Sequence, residues 1–167
     1  MILDGNSDKI RFENVTIENA YGWTLGKNGQ AEALYINNKS AAFINCRVLS
    51  FQDTLLPGGG YNWFKDCFIA GATDFIWGSG KVVLFQIHAP SGTRAVMQAR
   101  VSAGYLGYVF LNSRFTVGEG VTNSTLIYQF EPDNLTFLNC TFADVYGPNF
   151  VGENKPLTPA VPTVATG

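Results

Sequence analysis

The sequence predicts an all-β fold, a parallel β-helix in a single domain, and three observations lead there. A short unit, Phe-x-Asn/Asp-small-x-apolar, returns along most of the chain. β-Branched and aromatic residues fall in short runs bounded by Gly and Asn, and no long apolar pattern of helical period competes with them. The composition agrees: 46% hydrophobic and 14% charged residues are too apolar for disorder, and 18 Gly are too many for a helical bundle.

The unit appears first as Phe12-Glu13-Asn14-Val15-Thr16-Ile17 and again as Phe43-Ile44-Asn45-Cys46-Arg47-Val48. It continues as Phe64-Lys65-Asp66-Cys67-Phe68-Ile69 and, weakly, as Phe85-Gln86-Ile87-His88-Ala89. Phe110-Leu111-Asn112-Ser113-Arg114-Phe115 and Phe137-Leu138-Asn139-Cys140-Thr141-Phe142 complete the series. The leading Phe thus recurs at Phe12, Phe43, Phe64, Phe85, Phe110 and Phe137. The shortest interval, from Phe43 to Phe64, repeats from Phe64 to Phe85 and has the length of a solenoid coil. One coil cannot bury both of its sides, so stacking coils into parallel sheets is what gives the chain a continuous core.

Equivalent positions in such a stack form ladders. Asn14, Asn45, Asp66, Asn112 and Asn139 are expected to line one corner, where short polar side chains bond successive turns. Cys46, Cys67 and Cys140 share the small interior rung with Val15 and Ser113 and are expected to pack as thiols. A disulfide between Cys46 and Cys67 requires their Cβ vectors to converge. Asp8 to Ala20 is mixed enough to admit a small helical turn. Tyr21 to Gln30, Ala89 to Ala103 and Gly118 to Asn134 lengthen their coils beyond the shortest interval and are expected as loops walling a site. The coils are expected over residues 1–146, with 147–167 as an extended tail that wraps the last coil.

Charge and cysteine count exclude several function classes. A net charge of −2 without a Lys/Arg cluster offers no phosphate footprint for nucleic acid. No apolar run approaches the ~18 residues of a membrane span, and the start of the chain does not read as a signal peptide. Three cysteines and one histidine, His88, lack metal-ligand spacing, so no metal site is expected. The five Asn-x-Ser/Thr sequons, at Asn14, Asn38, Asn123, Asn134 and Asn139, partly coincide with the corner ladder and read mostly as its by-product. No Gly-x-Ser-x-Gly elbow exists, and Gly78-Ser79-Gly80-Lys81 lacks the spacing of a phosphate loop. The sequence specifies no oligomeric state; a monomer is compatible with it.

The period places the chemistry. Asp53 and Asp74 are separated by the same interval as Phe43 and Phe64, so the two aspartates fall at one place on neighbouring coils. Parallel strands put such positions about 5 Å apart. Gln30 precedes Gln52 by one position more than that interval and falls one coil earlier on the same side. Like charges this close do not both ionise cheaply, so one carboxyl is expected to hold a proton and the other to lose it. Neutral amides beside them suit an oxyanion.

Gln30-Ala31-Glu32-Ala33-Leu34, Gln52-Asp53-Thr54-Leu55, Gly71-Ala72-Thr73-Asp74-Phe75-Ile76-Trp77-Gly78 and Gly107-Tyr108-Val109-Phe110-Leu111-Asn112 resemble the signature blocks of pectin methylesterases. These are carbohydrate esterases built on a right-handed parallel β-helix, and the resemblance runs from about Phe12 to Phe142. It implies Asp74 as nucleophile on the methyl ester of a galacturonate and Asp53 as general acid and then base. Gln52 and Gln30 would hold the oxyanion, with Trp77 and Phe130 as aromatic floor under a sugar ring or as packing. It implies no cofactor, pectin or methyl-esterified homogalacturonan as partner, and action outside the cell.

The chain also departs from the family. Ser124 to Pro132 stands where the family has Leu-Gly-Arg-Pro-Trp, with Tyr128 or Gln129 at the Arg position. Arg100 lies in a stretch resembling the family's Ala-Gln-Gly-Arg and, with Tyr128, is a candidate for substrate binding. The family domain begins earlier than Met1, so its first coils are expected to be missing. Two readings follow: an esterase, or a relative that binds the polysaccharide without turning it over. A galacturonan hydrolase would need paired aspartates across a glycosidic bond, which the Gln-Asp pairing suits less well.

Overall fold

The computed structural model describes residues 1–25, 29–85, 88–91, 96–101, 107–129, 135–146, 151–153 and 163–165. Among them the strands form three parallel sheets, two of seven strands and one of six, joined side by side by successive coils of one chain. This is the stacked-coil architecture that the repeat predicts. The first sheet contains Leu34–Asn37, Leu55–Pro57, Ile76–Gly78, Met97–Ala99 and Ile127–Gln129. The second contains Ile10–Glu13, Ser40–Ile44, Tyr61–Lys65, Lys81–Phe85, Tyr108–Leu111 and Leu135–Leu138. Thr16–Glu18, Arg47–Leu49, Phe68–Ala70, His88–Ser91, Arg114–Val117 and Thr141–Phe142 make the third.

The repeating Phe drives the stack. Phe12 lies 5.2 Å from Phe43 and Phe43 4.8 Å from Phe64, each pair stacked with an interplanar angle of 8°. Phe110 and Phe137 stack in the same way at 5.2 Å. Phe43, Phe64, Phe110 and Phe137 are fully buried. The fourth copy is a correction. Phe64 pairs with Leu84, not Phe85, and Leu84 in turn pairs with Phe110. Leu84 is fully buried and fills the inward position, while Phe85 falls in register with Lys65. A pleated strand turns successive side chains to opposite faces, so a slip of one position changes which residue joins the column.

The corner ladder exists and has a backbone cause. Asn14, Asn45, Asp66, Asn112 and Asn139 all adopt positive φ, between 49° and 57°. Asn and Asp tolerate this left-handed region better than other side chains with a Cβ. Asn45 Nδ2 donates to Asn14 Oδ1 at 2.7 Å, and Asn139 Nδ2 donates to Asn112 Oδ1 at 2.8 Å. The next residue of the unit is buried at Cys46, Cys67 and Ser113, whereas Cys140 is half-buried and Val15, in the first copy, is 37% exposed, a correction to the expected interior rung. The disulfide does not form: all three cysteines are free. Cys46, Cys67 and Cys140 each direct Sγ to the carbonyl two positions back, at 3.3, 3.3 and 3.4 Å. The thiols run parallel along the rung instead of converging.

Three further expectations are refined. The helical turn falls at Tyr21–Leu25, after two strands within 8–20. The long connections contain strands of their own, His88–Ser91, Met97–Ala99 and Ile127–Gln129. Beyond residue 146, Val151–Glu153 pairs with Ile127–Gln129 and Thr163–Ala165 pairs with Leu135–Leu138.

Candidate active site

Asp53 and Asp74 sit in the turns that enter Leu55–Pro57 and Ile76–Gly78. Gln30 bridges Gln52, and Gln52 bridges Thr73, in parallel register. The next position aligns Ala31, Asp53 and Asp74 on three coils. Asp53 N–H donates to Thr73 O at 3.2 Å, fixing the two aspartate turns against each other. Both aspartates have positive φ, 60° and 44°. The same left-handed device that makes the Asn corner thus directs two carboxylates at a second corner. The amide ladder predicted from spacing consists of Gln30 and Gln52, with Thr73 in its third place.

Tight packing holds this corner. A Cβ on Gly71 would lie 2.3 Å from Phe75 Cβ and 2.6 Å from Thr54 Oγ1, so the backbone comes closer than any other residue permits. Thr54 is buried and its hydroxyl donates to Ala70 O at 3.1 Å. Thr54 O accepts from the amides of Ala33 and Leu34. The segment bearing Gln30 is tied from the other side. The buried Ser50 hydroxyl lies 2.6 Å from Ala31 O and 3.0 Å from Asn19 O. Asn19 Nδ2 reaches Glu32 O at 3.1 Å, while its Oδ1 accepts from Tyr21 N–H at the start of the helix.

The electrostatics separate Asp53 from an ordinary carboxylate. Asp53 is 6% exposed, and its pKa is raised to about 6. Burial is the largest cause, followed by the negative charges of Asp74 and Glu32; Arg100 opposes them. A buried carboxyl beside a second carboxyl keeps its proton into the weakly acidic range, as two like charges one coil apart require. Asp74 is half-buried.

The outward face of the first sheet continues from this corner. Ile76 and Gly78 turn inward and Trp77 outward, following the strand's alternation. Trp77 pairs with Gln98 on the next coil, and Gln98 aligns with Tyr128 on the coil after, one position beyond the Met97–Ile127 pair. The Arg100 guanidinium lies 4.8 Å from the Trp77 ring centre. Its NH2 and Nε donate to Gln98 Oε1 at 2.7 and 3.2 Å.

The structure therefore brings Asp53, Asp74, Gln52 and Gln30 to adjacent turns by backbone register, and it places Trp77, Arg100 and Tyr128 on the face beside them. Phe130 lies outside the described residues. Glu32 and Gln98 are the neighbours that sequence reasoning passed over. Both carried a signal, since Glu32 precedes Asp53, and Gln98 follows Trp77, by the same interval that separates the two aspartates.

Comparison with known proteins bears on the family and the fold. The family model described as Pectinesterase matches residues 3–103. Pectinesterase 2 of Olea europaea is 39% identical over 113 residues, which cover 63% of this chain and 31% of that protein. The chain spans about a third of the length of the curated relatives it matches. Among solved structures, pectin methylesterase from carrot superposes with a TM-score of 0.76 at 24% identity, over 92% of this chain and 52% of that one. A pectin methylesterase in complex with a hexasaccharide superposes with a TM-score of 0.70 at 22% identity, over 83% of this chain and 53% of that one. The fold is the right-handed parallel β-helix of these enzymes. With the family model matched over more than half of its length, the chain belongs to the pectinesterase family.

Proposed function

We propose that the corner formed by Asp53 and Asp74 hydrolyses methyl esters of galacturonate in pectin, releasing methanol. The observation that carries this reading is the aspartate pair itself: two carboxylates in left-handed turns on adjacent coils, one of them raised to about 6. Family membership supports the substrate class, and a polysaccharide substrate of that class supports a reaction outside the cytoplasm.

In this reading Asp74, ionised, attacks the ester carbonyl carbon. The carbonyl π electrons move to oxygen, and the amides of Gln52 and Gln30 hold the resulting oxyanion. Collapse expels methoxide, which takes the proton of Asp53 and leaves as methanol. An anhydride now joins substrate and Asp74. Asp53, now a carboxylate, draws a proton from water, and the hydroxide attacks the substrate carbonyl. Asp74 departs as carboxylate, Asp53 is protonated again, and the product acid gives its proton to solvent. One carboxyl must start protonated and the other ionised, which is what unequal burial of two adjacent aspartates favours. Trp77 and Tyr128 would lie beneath the sugar chain on the outer face of the first sheet.

A second reading has its own observation: Tyr128, or with a shift of one position Gln129, stands where the family resemblance expects an arginine. A site lacking that cation would bind the polysaccharide without turnover. Methanol release from methyl-esterified pectin, by wild type and by Asp74→Asn, decides between them. Release by wild type and its loss in Asp74→Asn is the expected result. Equal release by both, or binding without release by either, would remove the esterase reading.

A further inference from the structure

The second sheet does not border the aspartate corner. Asp53 and Asp74 lie between the third sheet and the first, where Arg47–Leu49 gives way to Leu55–Pro57 and Phe68–Ala70 to Ile76–Gly78. The chain reaches the second sheet only after the first, through Gly58-Gly59-Gly60. The outer side of the second sheet is therefore turned away from the aspartates.

Side chains in this sheet alternate between core and solvent. Phe43 and Phe64 take inward places, and large aromatics also stand outward. Tyr61 is 61% exposed and Trp63 38%, at alternate positions of one strand, about 7 Å apart along it. Trp63 is in register with Ala42 on the coil before and Val83 on the coil after, so an apolar row crosses three coils.

Cations flank that row. Lys81 is in register with Tyr61, and its Nζ lies 4.5 Å from the Tyr61 ring centre and 3.3 Å from the Tyr61 hydroxyl. Lys65, its side chain 43% exposed, stands on the other side of Trp63 in the same strand and 3.8 Å from Asp66. Arg11 continues the row beyond Ala42 and pairs with Glu13. In Ile10–Glu13, Ser40–Ile44, Tyr61–Lys65 and Lys81–Phe85 the outward places thus carry three cations, Arg11, Lys65 and Lys81, and one carboxylate, Glu13. The whole chain, by contrast, has a net charge of −2. A positive, aromatic face on an acidic chain suits a polyanion that also presents apolar surface. A uronate polymer has both, a carboxylate on every sugar and C–H ring faces that lie flat on aromatic rings.

We propose that the outward face of the second sheet, centred on Tyr61, Trp63 and Lys81, is a second binding site for de-esterified galacturonan, the acidic polymer that the aspartate corner would leave behind. The choice of uronate rests on the esterase reading; the aromatic and cationic surface does not. A carboxylate set against Lys81 meets a cation already held over the Tyr61 ring, so less side-chain freedom is lost on binding. Methyl-esterified stretches are neutral, offer no charge to Lys81 and Lys65, and bind this face more weakly. The site holds the protein on polymer already de-esterified while the aspartate corner acts on a neighbouring chain.

The test is a titration of the nitrogen-15-labelled full chain with oligogalacturonate free of methyl esters, followed by amide shifts. Amides of Tyr61–Lys65 and Lys81–Phe85 are expected to move with one common Kd, whatever happens at Ile76–Gly78 and Ile127–Gln129. Trp63→Ala should raise that Kd about tenfold. Lys81→Gln should raise it by less and flatten its dependence on salt, and it is the second probe where Trp63→Ala fails to fold. Both residues lie away from the aspartate corner, so methanol release from short methyl-esterified fragments should match wild type in either variant.

Shifts confined to the first sheet would overturn the proposal, as would a Kd that neither substitution moves. A fully methyl-esterified oligomer that binds the second sheet as tightly as the free acid would overturn it too. So would a single-stranded oligodeoxynucleotide that binds there more tightly than galacturonate, since stacking bases and phosphates also suit aromatics and lysines. Shifts at the second sheet in a chain that releases no methanol support the site while removing the esterase reading. Methanol release without those shifts does the reverse.

Discussion

Asp53 illustrates how one residue's surroundings set both its chemistry and its cost. Its carboxyl is raised from 3.8 to about 6 because burial and the acidic neighbours Asp74 and Glu32 outweigh the opposing charge of Arg100. The folded chain therefore binds this proton more tightly than the unfolded chain does. The contribution of Asp53 to stability is most favourable below pH 3.8, falls as pH rises toward about 6, and carries its full penalty above it. This is the reverse of a salt-bridged aspartate. Asp53→Asn removes the titration, and urea unfolding should find the variant more stable at pH 7 by on the order of 1–3 kcal/mol. At pH 3.5 variant and wild type should coincide. An equal gain at both pH values would mean that packing, not the proton, carries the cost. The same proton is the one given to the leaving methoxide in the proposed reaction. The alkaline limb of kcat/KM for methanol release should accordingly fall near pH 6 and move when Glu32→Gln lowers the carboxyl's proton affinity. A profile flat from pH 5 to 8 would assign the acid role elsewhere.

Turns, more than strands, give this molecule its specificity. The Asn corner combines two effects in one residue: left-handed backbone, and an amide that links coils. Asn45 separates them. Asn45→Gly keeps the backbone comfortable and loses the bond to Asn14, for a cost of about 1 kcal/mol. Asn45→Ala loses the bond and also forces a Cβ into the left-handed region, adding roughly 1–2 kcal/mol. Denaturant midpoints should therefore order wild type above Gly above Ala. An alanine variant as stable as the glycine one would show that the corner's strain is relieved by movement of its neighbours. The Asn corner was legible in the sequence because one position in each unit keeps the same small set of residue types. The aspartate corner was legible for the same reason, read through the spacing of Asp53 and Asp74. The Arg100–Gln98–Trp77 group was not. Its members come from consecutive coils, and their contact depends on which way each side chain leaves its strand, which spacing alone does not say. The pairing of Phe64 with Leu84 escaped for a related reason: the path between them is one position shorter than the repeat, and apolar residues stand at both 84 and 85. Two adjacent apolar residues leave the register open until the neighbouring coils choose the one that fits.

At the scale of the whole molecule, the coils behave as a stack in which each buries the next. No coil has a core of its own, so the stability of any one is largely an interface with two neighbours. The Phe column makes this testable, since its members differ in cover while sharing a side chain. Phe43 is sandwiched between Phe12 and Phe64 and is fully buried, whereas Phe12 packs on Phe43 and is only partly buried. Phe43→Ala removes a ring from two interfaces and should cost about 3–5 kcal/mol. Phe12→Ala opens one interface already partly exposed, and should cost less than half as much. Hydrogen exchange should then report where the loss is felt. In Phe43→Ala, amides of Leu34–Asn37, Ser40–Ile44 and Tyr61–Lys65 should lose protection first, while those of Tyr108–Leu111 and Leu135–Leu138 keep more of theirs. Equal loss in every coil would instead make the described residues one cooperative unit, bound by the continuous core more strongly than by its separate rungs. The difference matters for the site, because Asp53 and Asp74 belong to the two coils that follow Phe43. Under nearest-neighbour coupling, Phe43→Ala should loosen the aspartate corner and reduce methanol release well before the chain unfolds. Under full cooperativity, activity and fold should be lost together.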